Sequence, residues 1–122
     1  MTDEYCSWNG ASGATYIFYI YQRPPNVPCR LGNYIYARRT SEKLWVPVYI
    51  GHGDLAVCGE IDAALIACID AKGATHLHMR LSLMETERLG VHGDLLSSYK
   101  NTFPPDGCNP PEDTPANPSD AG

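Results

Sequence analysis

The pattern of apolar and polar positions begins with a run of six aromatic and β-branched residues at positions 16–21, YIFYIY. Such a run is typical of a β-strand. Pro24, Pro25 and Pro28 follow closely, and proline cannot donate a ladder hydrogen bond. The pattern therefore predicts a first strand that ends before Pro24.

A second signal lies between Gly32 and Gly53, where two short runs, 34–36 and 46–50, are rich in tyrosine, isoleucine and valine. The polar segment 38–43 between them has nothing apolar to bury. Two such runs around a polar link predict two strands joined by an exposed turn.

A helical pattern follows this hairpin. Asp54 is a plausible N-cap, and Lys72-Gly73 supplies a cation and a glycine that can end the helix. Apolar residues recur between them at helical spacing, which predicts a helix with one buried stripe. The stripe consists of Leu55, Ile61, Leu65, Ile66 and Ile69.

Residues 75–83 alternate between polar and apolar types, which predicts a strand that is buried on one face. The expected apolar face carries Leu77, Met79, Leu81 and Leu83, and the opposite face carries His76, His78 and Arg80.

Positions 85–99 predict a second helix, with Leu89, Leu95 and Leu96 as its expected core contacts. The element order β-β-β-α-β-α predicts an α/β or α+β domain with a small, mostly antiparallel sheet flanked by helices. We assign residues 1–14 to an irregular lead-in, 15–109 to the domain and 110–122 to a proline-rich polar tail.

Composition adds limits to this picture. The chain has 122 residues with 43% hydrophobic content and no apolar run of the roughly 18 residues that span a bilayer. The acidic N-terminus lacks the features of an export signal, which favours the cytoplasm. Five widely spaced cysteines without a C-x-x-C pair favour free thiols and small buried side chains over a disulfide framework.

The net charge of −5 argues against a protein built mainly to hold nucleic acid. Five of the nine basic residues nevertheless fall within residues 23–43. Arg38, Arg39 and Lys43 lie on the expected hairpin, where they form either a phosphate-facing patch or an ordinary solvated loop.

Several short motifs occur in a fixed order along residues 10–109. They are Gly32-Asn33-Tyr34, Tyr49-Ile50-Gly51, Asp54-Leu55, Ala74-Thr75-His76, Asp94-Leu95-Leu96, Pro104-Pro105 and Cys108-Asn109. Together they resemble the signature of the GIY-YIG nucleases, although each motif alone is weak.

The resemblance implies a metal-dependent phosphodiesterase site. A tyrosine would help to deliver the attacking water, a second tyrosine would support it, an arginine would steady the phosphate, and a glutamate would hold Mg²⁺. Tyr34, Tyr49 and Asn109 match the family's residues. The resemblance thus implies a GIY-YIG-like fold and, where the site is intact, an endonuclease.

Two positions depart from the family pattern. Cys58 stands where the helical arginine is expected, and His92 stands where the metal-binding glutamate is expected. Glu87 is the nearest upstream acid, but five helical residues rotate it by about 140° away from that position. The simplest interpretation is a degenerate domain, a pseudoenzyme that keeps the fold and has lost the nuclease.

The two substituted residues leave further alternatives open. A thiolate and an imidazole suit Zn²⁺, copper or haem iron better than Mg²⁺, with His52 or Tyr49 as a third contact. Cys58 and His92 are alternatively a nucleophile pair, or two neutral residues that fill a vacated site. His76 and His78 are a further candidate ligand pair.

Three hypotheses follow for function. The first is a catalytically silent or impaired GIY-YIG-like module that binds a protein partner in a complex, or DNA or RNA. The second is a DNA endonuclease that uses a variant site with Mg²⁺. The third is a metal- or cofactor-binding protein that holds zinc or iron at Cys58 and His92. The acidic balance favours a protein partner.

Overall fold

The computed structural model describes residues 4–23, 31–54 and 63–110. Its elements are β1 (Tyr5–Asn9), β2 (Thr15–Gln22), β3 (Leu31–Arg39), β4 (Trp45–Asp54), α1 (Ala63–Ala71), β5 (His76–Leu81), α2 (Glu85–Ser98) and a single 3₁₀ turn (Lys100–Thr102).

The five strands form one sheet in the order β1-β2-β5-β3-β4, and each neighbouring pair is antiparallel. The predicted fold class, a mixed α+β domain with a small antiparallel sheet flanked by helices, is confirmed. Strand β5 lies in the centre and joins the β1–β2 hairpin to the β3–β4 hairpin. Met79 of β5 faces Tyr19 on one side and Tyr34 on the other.

Each face of the sheet packs against one helix. One core lies between the sheet and α2, and the other lies under α1, because successive strand residues point to opposite faces. The α2 core contains Trp8, Phe18, Ile35, Ala37, Ile50, Val91, Leu95 and Leu96. The α1 core contains Tyr36, Val48, Ile69, Ala74, Leu77 and Cys108.

The N-terminal segment corrects one prediction. The irregular lead-in expected before residue 15 contains strand β1, which pairs along its whole length with β2. Its alternation is short, but Trp8 is 3% exposed and Cys6 packs beside it. Five residues between Glu4 and Gly10 are too few for periodicity to stand out.

Strand β5 corrects a second prediction. Leu77 and Met79 are buried as expected, but Leu81 and Leu83 are 59% and 76% exposed. His78, expected on the polar face, is fully buried. A central strand with a helix over each face has no solvated side along its middle, so alternation predicts only part of its burial.

Helix α2 agrees with its prediction in extent, and Leu95 and Leu96 are buried. Leu89, expected in the core, is 47% exposed and is therefore a wrong assignment. The predicted start of the first helix after Asp54 and the tail over 111–122 lie outside the described residues.

The turn between β3 and β4 is closed by Thr40. Its carbonyl accepts from the Lys43 amide, its amide donates to the Leu44 carbonyl, and its hydroxyl accepts from the Glu42 and Leu44 amides. Lys43 takes a left-handed backbone conformation with φ of 64°. The predicted exposed link is thus a compact turn, and Arg38 and Arg39 belong to β3 itself.

Across the described ranges, no helix has the length and apolar character needed to cross a membrane.

Candidate functional site

The two tyrosines of the motif pair lie side by side. Tyr34 faces Gly51 across the β3–β4 ladder, and Tyr36 faces Tyr49. The ring centroids of Tyr34 and Tyr49 are 6.2 Å apart, and both side chains are half-buried beside the α1 core. The sequence prediction that two phenols end up adjacent is confirmed.

Gly51 makes this arrangement possible. A Cβ atom at this position would lie inside the van der Waals surface of the Tyr34 ring. Only glycine therefore lets Tyr34 lie flat across the neighbouring strand. The glycine of the second motif is required by the tyrosine of the first.

Asn109 holds strand β4 from its outer edge. Its side-chain Nδ2 donates to the Ile50 carbonyl at 2.9 Å, and its Oδ1 accepts from the Ile50 amide at 2.8 Å. Asn109 is fully buried. A buried carboxamide that satisfies both backbone groups of an edge residue continues the ladder and fixes the strand beside Tyr49.

A disulfide joins Cys68 of α1 to Cys108, the residue before Asn109. The expectation of free thiols is therefore wrong for these two cysteines, because their 40-residue separation gave no local signal of pairing. Cys6 is a free thiol, and Cys29 and Cys58 lie outside the described residues. The disulfide fixes the segment that carries Asn109 against α1.

His92, which stands where the resemblance leads us to expect a glutamate, lies on α2 and meets His52 of β4. The two ring centroids are 4.5 Å apart with an interplanar angle of 65°. His52 is exposed and His92 is half-buried. By the alternation of β4, His52 belongs to the face under α2, while Tyr49 belongs to the face under α1.

Burial and the neighbouring His52 lower the pKa of His92 from 6.5 to about 4. The imidazole is therefore uncharged at neutral pH. It offers a nitrogen lone pair and no negative charge.

Asn33, which the sequence prediction passed over although it lies in the first motif, borders this histidine pair. It is the register partner of His52 on β3. Its Nδ2 donates to the carbonyl of Arg88, one helical turn before His92. Its Oδ1 and the Nδ1 of His92 are both buried without a hydrogen-bond partner. No sequence signal marked Asn33, because local sequence does not show that its side chain points toward a helix.

The nearest upstream acid on α2, Glu87, already forms an ion pair. The carboxylate of Glu87 pairs with Arg80 at 2.6 Å. It lines a shallow groove of about 700 Å³ with Tyr16 and Asp94. The neutral His92 and the paired Glu87 do not fit the hard, anionic oxygen site that Mg²⁺ prefers.

Asp94 of the motif Asp94-Leu95-Leu96 has a structural role. It accepts hydrogen bonds from the Ser12 amide and hydroxyl and from the Tyr16 hydroxyl, each at 2.7–2.8 Å. Desolvation opposes the ionised form of Asp94, but these hydrogen bonds outweigh it and lower its pKa. The carboxylate joins the β1–β2 turn to α2.

The second candidate pair, His76 and His78, is not an open ligand pair. The Nδ1 of His78 accepts from the indole Nε1 of Trp8 at 3.0 Å and lies 3.3 Å from the Cys6 sulfur. The Trp45 ring lies 4.5 Å away, centroid to centroid. His78 is therefore a core residue enclosed by aromatic rings.

Burial, together with His76 and Arg39, lowers the pKa of His78 from 6.5 to about 3. Burial also raises the pKa of the nearby Cys6 thiol to about 11, against the opposing hydrogen bond with Trp8. A neutral thiol beside a neutral imidazole is not an activated nucleophile.

Cys58, the other substituted position, lies outside the described residues, so its predicted pairing with His92 stays a prediction. Within the described ranges, no three His, Cys, Asp or Glu side chains converge as a metal site.

The three basic residues of the predicted nucleic-acid surface share the turn end of the β3–β4 hairpin. Arg38, Arg39 and Lys43 are all exposed. The Arg39 guanidinium lies over the Trp45 ring, 4.8 Å from its centroid. The hairpin end thus presents three cations, one aromatic ring and the exposed acid Glu42, and the excess of cations suits phosphate or acidic side chains.

No protein-family model, curated protein or solved structure matches this chain.

Proposed function

We propose that this chain is a degenerate GIY-YIG-like domain that no longer cleaves phosphodiesters and acts as a binding module. One observation carries the proposal. The position that would need a carboxylate for Mg²⁺ is a neutral histidine that packs on His52, on the opposite face of the sheet from Tyr49. A scaffold that retains the tyrosine pair without an anionic ligand lacks the charge that holds the metal.

The contacts of the residues that match the family motifs support a domain that keeps its fold in order to bind a partner. Gly51 permits the close approach of Tyr34, and Asn109 makes two hydrogen bonds to the backbone of Ile50, the residue before Gly51. Each of these contacts stabilises the hairpin whether or not a reaction occurs. They therefore explain how the motif survives in a chain whose catalytic groups are substituted.

The hairpin end is the proposed binding surface. Arg38 and Arg39 at the end of β3 and Lys43 in the turn are all exposed, and hydrogen bonds of Thr40 close that turn. The three cations favour a partner surface that carries acidic side chains, and the net charge of −5 of the whole chain disfavours a dense polyanion such as nucleic acid. DNA or RNA is the second candidate, because the same three cations suit a phosphate backbone.

The cytoplasm is the proposed location. The Cys68–Cys108 disulfide is the observation that opposes this proposal, because structural disulfides persist mainly in oxidising compartments. Thiol labelling of rapidly quenched cells decides the point. Protected Cys68 and Cys108 overturn the cytoplasmic proposal, and labelled thiols support it.

Charge reversal of the hairpin tests the binding proposal. The variant Arg38→Glu/Arg39→Glu/Lys43→Glu should lose the partner that the unmodified chain retains in a pull-down from its native host. The control Lys100→Glu changes an exposed cation on the 3₁₀ turn and should keep it. Anisotropy with labelled single-stranded and branched DNA tests the nucleic-acid arm, where affinity should fall steeply with salt.

Equal retention of every protein and DNA probe by the triple variant and the unmodified chain would reject the hairpin as the binding surface.

A further inference from the structure

The pair formed by His52 and His92 brings two imidazoles from distant elements into contact. His52 comes from the edge strand β4 and His92 comes from α2, and their rings meet at 4.5 Å between centroids. Two imidazoles that bind one zinc ion through Zn–N bonds of about 2 Å have ring centroids roughly 5 Å apart. The observed separation of the two rings is close to that value.

A third donor atom lies beside this pair. Asn33 is fully buried and neighbours His52 across the β3–β4 ladder. Its Nδ2 is bonded to the Arg88 carbonyl, which fixes the carboxamide and leaves Oδ1 without a partner. His92 lies one helical turn beyond Arg88, so Asn33 Oδ1 and both imidazoles are at the same level of the helix–sheet interface.

The unpartnered acceptors at this place are suited to a cation. Buried polar atoms in folded proteins are nearly always satisfied, so each exception calls for an explanation. Asn33 Oδ1 and, in its unprotonated form, His92 Nδ1 are both acceptors and both unpaired. A bound metal ion would satisfy both atoms at once.

We propose that His52, His92 and Asn33 bind one divalent transition-metal ion of the zinc class. The donor set is two imidazole nitrogens and one amide oxygen, and the exposure of His52 leaves room for water to complete the coordination. Imidazole suits Zn²⁺, Cu²⁺ and Ni²⁺, whereas Mg²⁺ prefers several oxygen ligands. The inference is independent of the proposed function, because it uses no nuclease chemistry and no contact of the hairpin end.

The site differs from the other histidine pair in the feature that matters. The Nδ1 of His78 accepts from Trp8, so the neutral ring carries its proton on the buried, unpaired Nε2, which offers no lone pair, and the ring is enclosed by Trp8 and Trp45. His76 hydrogen-bonds Thr75 through its own Nδ1. The histidines of β5 therefore provide a matched comparison within the same chain.

The test is a Zn²⁺ titration of the full chain after chelator treatment, followed by NMR of the four imidazole side chains. The imidazole nitrogen resonances of His52 and His92 should shift together and saturate at one ion per chain. The resonances of His76 and His78 should stay in place. The same concentration of Mg²⁺ should move none of the four.

Two variants sharpen the titration. His52→Ala changes an exposed strand residue, so it should fold and should weaken Zn²⁺ binding by roughly tenfold or more. His76→Ala, a partly exposed histidine on β5, should bind as the unmodified chain does. Zn²⁺ binding that leaves the His52 and His92 resonances unmoved, or that survives His52→Ala unchanged, would overturn the proposal.

Discussion

The two histidine pairs of this protein differ in how well sequence separation predicts a shared site. His76 and His78 are two residues apart on one strand, which is the spacing of a ligand pair on one sheet face. His52 and His92 are forty positions apart, and nothing local connects them. The structure encloses His78 in the α2 core and brings His52 and His92 together beside Asn33.

The difference arises from where each strand lies. Strand β5 is central, so its histidines compete for space with Trp8 and Trp45. Strand β4 is at the edge, so His52 keeps access to solvent while it reaches α2. The central position gives a histidine a structural role, and the edge position leaves it available for a ligand.

The largest expected effect comes from removing each type of histidine in turn. His78→Ala should lower the free energy of unfolding by about 3–5 kcal/mol, because it leaves a cavity and strands the Trp8 indole N–H. His52→Ala, at an exposed position, should change it by no more than about 0.5 kcal/mol. Urea unfolding of both variants measures the contrast.

Similar losses in both variants would show that the two pairs do not differ in burial.

A smaller effect is expected from pH. The folded-state pKa of His78 is about 3, below its ordinary value of 6.5. Its neutral form therefore contributes stability that is fully present above pH 6.5 and is lost as the pH falls towards 3. The slope from this one group is about 1.4 kcal/mol per pH unit over that window.

The measurement is the pH dependence of urea unfolding for the unmodified chain and for His78→Gln. The variant should show a shallower decline between pH 6 and pH 4, and the lowered pKa of His92 should leave part of the slope in both proteins. Parallel curves would mean that folding does not lower the pKa of His78, so that His78 is protonated in the folded state across this pH range.

The elements of this fold were predictable where the pattern was long. Strand β2 has six consecutive aromatic or β-branched residues, and α2 has Leu95 and Leu96 on its buried stripe, so both were assigned correctly. Strand β1 was missed because five residues between polar segments hold only one large buried side chain, Trp8.

The candidate site was predictable only in part, and for a physical reason. The approach of Tyr34 to Tyr49 follows from one hairpin, so local sequence contained it. The approach of His52 to His92 depends on how α2 packs across the sheet, and the Cys68–Cys108 pairing depends on how the C-terminal segment returns to α1. No periodicity encodes packing between distant segments.

Cleavage is the most direct test of the central claim, which is that a neutral His92 in place of a carboxylate leaves the domain catalytically silent. Single-stranded and branched DNA should remain intact when incubated with the purified chain and Mg²⁺ or Mn²⁺, because the described site offers no anionic ligand for the ion. Cleavage that is lost in Tyr49→Phe and kept in Tyr19→Phe, a change to an exposed tyrosine on β2, would contradict the account.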